Sequence, residues 1–246
     1  MSLRPSALRI ARLYPEVLGT YGDGGNALVL ERRMAWRGLP AEVVDVLLGE
    51  PVPVECDVYL LGGGEDEAQA LAAADLRRTG GLSAAVDRGR PVLAVCAGLQ
   101  LLGRSFEVRG GGVEAGLGLL DLTTTRLPVR AVGEVVAQTD PSLGLPELTG
   151  FENHGGGSVL GPAARPLATV LAGVGNGSGR SEGAIQGSVV ATYLHGPVLA
   201  RNPALADLLL HRATGLELAP LDLPEVDELR RSLVQRRARR RLLRLR

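Results

Sequence analysis

At 246 residues, with 45% apolar side chains and zero formal net charge, the chain can fill one large domain core and carries no overall bias toward nucleic acid. Its two cysteines make neither a disulfide framework nor a metal-ligand set. The sequence holds no leader pattern and no apolar run of about 18 residues, so a soluble cytoplasmic protein is expected.

In chain order, Ala7 to Leu13 reads as a first strand and Asn26 to Arg37 as a helix, with Leu28, Val29, Arg32, Arg33 and Trp36 at helical spacing. Glu42 to Val46 and Val58 to Leu61 are further strands, the second ending in Gly62-Gly63-Gly64. Helices are predicted over Gln69 to Thr79 and Leu82 to Arg88, followed by a buried strand from Val92 to Val95. Strand–helix alternation with continuous apolar strands predicts a mostly parallel sheet flanked by helices, with ligands beyond the carboxyl ends of its strands. Gly116 to Arg126, Gly133 to Thr139, Leu167 to Val174 and Val189 to Tyr193 read as shorter strands between Gly and Pro turns, an antiparallel extension. Pro203 to Thr214 is a helix that Asn202 can cap.

The expected fold is thus α/β, with one domain over residues 7–223 and an Arg-rich C-terminal helix over 224–246. From Glu225 onward nine arginines face three acids. Val226, Leu229, Leu233, Ala238, Leu242 and Leu245 fall roughly on one face of that helix. The plain reading is a Leu face on the domain and charges in water. The sharper one is a docking element for a partner or for anionic lipid.

Cys96 lies where the Val92–Val95 strand turns into the helix that Leu99 to Gly103 begins, a nucleophile elbow with cysteine in place of serine. A cysteine nucleophile needs a base, an oxyanion hole and a grip on substrate. His195 follows the apolar run VVATYL at a turn, where a catalytic imidazole belongs; His154, in GFENHGGGS, is the second candidate, and His211 reads as an ordinary helix residue. A neighbouring histidine and the helix start are expected to lower the thiol pKa by about 2, roughly 2.7 kcal/mol. Oxyanion donors are expected from Ala97 and from Gly63 and Gly64, each worth about 3–4 kcal/mol in the transition state. Cys56, in VECDVYL, is assigned to the core. Elbow, strand-end histidine and glycine loop are three separate features that one mechanism requires.

The segment around Cys96 and the Gly-rich strand end resemble a class I, triad-type glutamine amidotransferase. Such enzymes usually carry an acid two residues after the histidine. Here Gly196 and Pro197 follow it, and YLHGP is similar to the cobyric-acid-synthase-like branch. Within that branch, Leu13–Arg33 (LYPEVLGTYGDGGNALVLERR), Leu61–Ala70 (LGGGEDEAQA), Gly150–Gly156 (GFENHGG) and Thr192–Asp207 (TYLHGPVLARNPALAD) resemble the glutaminase subunits of lipid II isoglutaminyl synthases. CAGLQ differs from the commoner CGGYQ, but Ala97 keeps its N–H.

The resemblance implies a flavodoxin-like class I fold and hydrolysis of L-glutamine by Cys96 and His195. It also implies transfer of ammonia to a Mur-ligase-like, ATP-dependent synthetase that amidates D-glutamate in lipid II. ATP and metal would sit on that partner, in a heterodimer; this chain would hold no cofactor and no metal, bind no nucleic acid, and work in the cytoplasm near the inner face of the membrane. Arg130, in RAVGEVV, fits the position that grips the glutamine α-carboxylate, with Arg126 as its rival. Asp23, Glu152 and Asn153 are open candidates for orienting His195, and His154 and Gln100 are possible supporting residues. The loop Tyr21 to Asn26 lies near the site or is merely a capping turn. The alternatives are a glutaminase serving another acceptor such as a corrin acid, a stand-alone cysteine hydrolase, and a non-catalytic binding subunit.

Overall fold

The computed structural model describes residues 7–243, with side chains through Gln235. The first half contains β1 (Leu8–Leu13), α1 (Gly25–Ala35), β2 (Ala41–Val46), β3 (Val58–Leu61), α2 (Asp66–Thr79), α3 (Gly81–Asp87), β4 (Val92–Val95) and α4 (Ala97–Leu102). The second contains β5 (Ser105–Glu107), β6 (Val113–Ala115), β7 (Leu122–Thr139), β8 (Leu148–Leu160), β9 (Ala168–Ala172), β10 (Ser181–Glu182), β11 (Ala184–Gln186), β12 (Val189–Thr192), α5 (Val198–Arg201), α6 (Pro203–Thr214) and α7 (Pro224–Leu243).

One sheet has the order β11-β12-β4-β3-β1-β2, parallel throughout except for the edge strand β11. β3, β4 and β12 are buried along their whole length, as expected of strands covered on both faces. The helices that cover it have local reasons to start and stop. α2 carries Asp66 and Glu67 in its first turn and stops at Gly80, whose φ of 68° suits glycine. α1 is tied to α6 by Arg33, whose nearly buried guanidinium donates to Asp207 through Nε at 2.8 Å and Nη2 at 2.5 Å. In register, Val95 stands opposite Thr192, so the chain leaves β4 at Cys96 and β12 toward His195 side by side.

The second half differs from expectation in instructive ways. β7 is one strand where two were predicted, starting at Leu122 rather than Gly116. Its pairing with β8 breaks only between Arg126 and Ala131, where Pro128 has no N–H to give the ladder. β8 runs through the GFENHGGGS segment, which is not among the strands the sequence predicts. Its glycines have low strand propensity, but tertiary packing needs them: a Cβ at Gly156 would lie 2.5 Å from Gln100 Nε2, and one at Gly150 would lie 2.6 Å from Leu194 Cβ. β7 and β8 centre a second sheet, of order β10-β9-β7-β5-β6 with β8 on β7, antiparallel but for β5 beside β7. This sheet joins the first through a bridge at Phe151 and His195, whose backbones exchange N–H···O bonds of 3.1 and 2.8 Å.

Asn202 does not cap α6; its amide donates to the carbonyls of Thr149 and Val198, both at 2.8 Å, and ties β8 to α5. On α7 Leu229 is 51% exposed, so the predicted Leu face is not buried there. The helix is held instead by Arg230, which donates to Arg201 O, Asn202 Oδ1 and Glu147 O. The side chains of Ala238 and Leu242, and all of Leu245, lie outside the described residues. No helix among the described residues is long and apolar enough to cross a membrane.

Candidate active site

The carboxyl ends of β1, β3, β4 and β12 bring four segments together. Cys96 makes the turn after β4 with φ 53° and ψ −106°, a conformation that costs a non-glycine residue about 1–3 kcal/mol. The elbow is pinned on both sides: Cys96 N–H donates to Thr192 O at 2.9 Å, and Gly98 N–H donates to Gly62 O at 3.2 Å. Gly98 must be glycine for this approach, since a Cβ would sit 2.9 Å from that of Leu61.

His195 is buried. Its Nδ1 lies 3.0 and 3.1 Å from the two carboxylate oxygens of Asp23, itself buried. That pairing makes Nδ1 the protonated nitrogen and leaves Nε2, which is buried and has no partner, with its lone pair free. Asp23 comes from the loop between β1 and α1, so the acid that orients the histidine is 172 residues away rather than two. Of the two readings for that loop, the capping turn fails: α1 has Gly24 at its cap with no side-chain bond, and Asn26 instead accepts from Leu199 N–H.

The other candidates for orienting His195 are engaged elsewhere. Glu152 accepts from Val174 and Gly175 N–H, each at 2.8 Å. Asn153 Oδ1 accepts from Arg130 Nε at 2.7 Å, so it supports the arginine rather than the histidine. His154 is no alternative base: its Nδ1 faces Gly156 O at 2.7 Å, its Nε2 lies 3.6 Å from Glu152, and its ring stacks on Tyr193. His211 lies on α6 with Nδ1 bonded to Leu216 O.

The oxyanion donors need one correction. The N–H of Gly63 is already given to Asp23 Oδ2 at 2.9 Å, so Gly63 helps hold the acid in place. Gly64 and Ala97 line the same cleft as Cys96 and stay as the candidate oxyanion donors. The thiol also departs from expectation. Burial, and next the charge of Asp23, push its pKa up to about 12; the Ala97 N–H and Arg130 pull it down without compensating. Burial thus favours the neutral thiol over the thiolate in the free site.

Arg126 and Arg130 both line the cleft beside Cys96. Arg126 is committed to Asp66 at 2.8 Å. Arg130 is held by neutral groups, Asn153 Oδ1 and the Tyr21 hydroxyl at 2.9 Å, and joins none of the ion pairs among the described residues. Its charge is thus available for a carboxylate. Gln100 lines the same cleft, with Nε2 on the Tyr193 hydroxyl. No group of three or more His, Cys, Asp and Glu among the described residues could hold a metal ion.

A cysteine on an elbow and an Asp-oriented histidine at neighbouring strand ends define a Cys-His-Asp hydrolytic centre of the class I glutamine amidotransferase kind. The CobB/CobQ-like glutamine amidotransferase domain matches residues 9–203, and the chain belongs to that family. It is 32% identical over 222 residues to the lipid II isoglutaminyl synthase (glutamine-hydrolyzing) subunit GatD of Staphylococcus aureus, 89% of this chain and 90% of that one. The subunit of the same name from Streptococcus pneumoniae is 33% identical, over 85% of this chain and 81% of its own. A cobyric acid synthase of Sphingopyxis alaskensis is 37% identical over 177 residues, but only 34% of that protein is matched. A solved glutamine amidotransferase from Thermotoga maritima shares the fold, with a TM-score of 0.54 at 18% identity over 94% of this chain and 97% of the other.

Proposed function

We propose that the chain is the glutaminase subunit of a lipid II isoglutaminyl synthase. In this reading L-glutamine lies in the cleft with its α-carboxylate on Arg130 and its carboxamide over Cys96. The Cys96 proton passes to His195 Nε2 while sulfur attacks the amide carbon. The oxyanion that forms faces the N–H groups of Gly64 and Ala97. His195 then hands the proton to the departing nitrogen, and ammonia leaves behind a thioester. Water adds to the thioester as its proton goes to His195; glutamate departs and the thiol is restored. Asp23 holds the imidazole in the required tautomer and stabilises its charged form throughout.

The observation that carries the hydrolytic half is the Asp23–His195 pair with its unpartnered Nε2, set beside the Cys96 elbow. The acceptor half rests on similarity. The two named GatD relatives match over more than four fifths of both chains, whereas the cobyric acid synthase match covers about a third of that protein. The ammonia would go to a Mur-ligase-like synthetase, which supplies ATP and its metal and amidates D-glutamate in lipid II on the cytoplasmic side of the membrane. The test is co-expression with that synthetase, followed by a glutamine-dependent amidation assay on lipid II. Amide formation that Cys96→Ala abolishes supports the proposal. Ammonia release without lipid II amidation moves the acceptor to another class.

A further inference from the structure

The base and the arginine of the cleft meet on one half-buried side chain that takes no part in the chemistry above. Tyr21 lies on the loop between β1 and α1, two residues before Asp23, and lines the cleft. Its loop is laid over the glycine strand end: Thr20 N–H donates to Gly63 O at 3.3 Å, and a Cβ at Gly63 would lie 3.2 Å from Tyr21 Cδ2. Gly63 thus admits the ring where a side chain would press on it. There the ring bears on His195, with centroids 4.8 Å apart and planes at 51°. Its hydroxyl accepts from Arg130 Nη2 at 2.9 Å and lies 3.3 Å from Glu65 Oε1.

The directions of these two bonds are fixed by their partners. Arginine only donates, so the phenol oxygen is the acceptor, and the phenol proton is left for the Glu65 carboxylate. Burial, and next the charge of Glu65, raise the phenol pKa, so that proton stays in place at neutral pH. Asp23 holds His195 at a single ring atom, Nδ1, and an anchor at one atom does not set the plane of an imidazole. The tilted ring contact supplies a second constraint. We propose that Tyr21 is a positioning residue with two separable parts: its ring sets the tilt of His195, and so the aim of Nε2 at the Cys96 proton, while its hydroxyl, tethered to Glu65, sets the Arg130 fork that receives the substrate carboxylate. The inference rests on the glutaminase reading and adds to it a mechanical link between the residue that seats the substrate and the base that acts on it.

The experiment follows steady-state ammonia release from L-glutamine by the full chain with the co-expressed synthetase present, beside circular dichroism. Tyr21→Phe keeps the ring and removes the hydroxyl. The expected result is a KM about three- to tenfold higher, the scale of one hydrogen bond, with kcat within about twofold. Tyr21→Leu removes the ring as well, and kcat should fall by about tenfold or more. A merely structural role would not divide the two constants in this way, nor would phenylalanine rescue kcat alone. Unchanged kcat in a folded Tyr21→Leu variant overturns the inference, as does unchanged KM in Tyr21→Phe, or a loss of kcat there as complete as in Tyr21→Leu. Should Tyr21→Leu not fold, Tyr21→Met takes its place, with the same expected loss and the same overturning result. Absence of ammonia release by the unsubstituted chain fails the glutaminase reading and this inference with it, a result seen before any variant is compared.

Discussion

The carboxylate of Asp23 and the imidazole of His195 meet at 3.0 Å between Oδ2 and Nδ1, although 172 residues of chain separate them. The same oxygen accepts the Gly63 N–H, so one acid ties the ends of β1, β3 and β12 together. Asp23→Asn keeps the shape but can present an amide N–H where His195 needs an acceptor, favouring the wrong tautomer. We expect kcat for glutamine hydrolysis to fall by about a thousandfold or more, as a tautomer error does in related triads. Steady-state kinetics beside circular dichroism checks this; near-normal turnover in a folded variant would remove Asp23 from the mechanism.

The buried thiol gives a pH signature. With the Cys96 pKa pushed up to about 12 by burial and by Asp23, the thiolate fraction in the free protein stays small at neutral pH and grows about tenfold for each pH unit. An ordinary thiol would level off above its pKa of about 8.5. Alkylation of Cys96 by iodoacetamide should thus rise log-linearly from pH 7 to pH 9.5 without bending, followed by mass spectrometry of the Cys96 peptide. Removing the negative charge in Asp23→Asn lowers the thiol pKa and shifts the whole profile toward acid. A plateau near pH 8.5 in the unmodified sequence would contradict the burial argument.

Residues near each other in sequence carried most of what could be read without coordinates. The strands Val58–Leu61 and Val92–Val95 declare themselves as apolar runs, and the Cys96 elbow is local, one strand running into one helix. β8 was hidden because its glycines answer to Gln100 and Leu194, far away in the chain, rather than to strand propensity. Asp23 stood among three candidates that no spacing could separate, since its partner lies on another strand. The thiol pKa was misjudged because sequence shows the neighbours that lower it but not the depth of burial that raises it.

Gly63 offers a test of tolerance at the junction. A Cβ there would lie 3.0 Å from His195 Cε1 and 3.2 Å from both Asp23 Oδ2 and Tyr21 Cδ2. The imidazole must shift by a few tenths of an ångström to admit it, and the Asp23 pairing shifts with it. Gly63→Ala should lower kcat by about tenfold or more, the scale on which small misplacements of catalytic groups are felt. The melting temperature should move only a few degrees. Wild-type kcat would mean that the histidine has room the distances deny.

Arg130 and Arg126 lie four positions apart on β7 and both reach the cleft, but their partners differ. Arg126 closes an ion pair with Asp66, whereas Arg130 is fastened by a carboxamide and a phenol that leave its charge unmatched. If a substrate carboxylate completes Arg130, then Arg130→Ala forfeits a charge-assisted pair worth about 1.5–3 kcal/mol, and KM for L-glutamine should rise by about 10- to 150-fold. Arg130→Lys keeps a charge but loses the fork that Asn153 and Tyr21 orient, so most of the defect should persist. Arg126→Ala breaks only a half-exposed ion pair, of the kind worth about 0–1 kcal/mol, and its KM should stay within about fivefold. The comparison is read by steady-state kinetics with glutamine as the varied substrate. A larger KM effect at Arg126 than at Arg130 would reverse the assignment and place the carboxylate at the α2 side of the cleft.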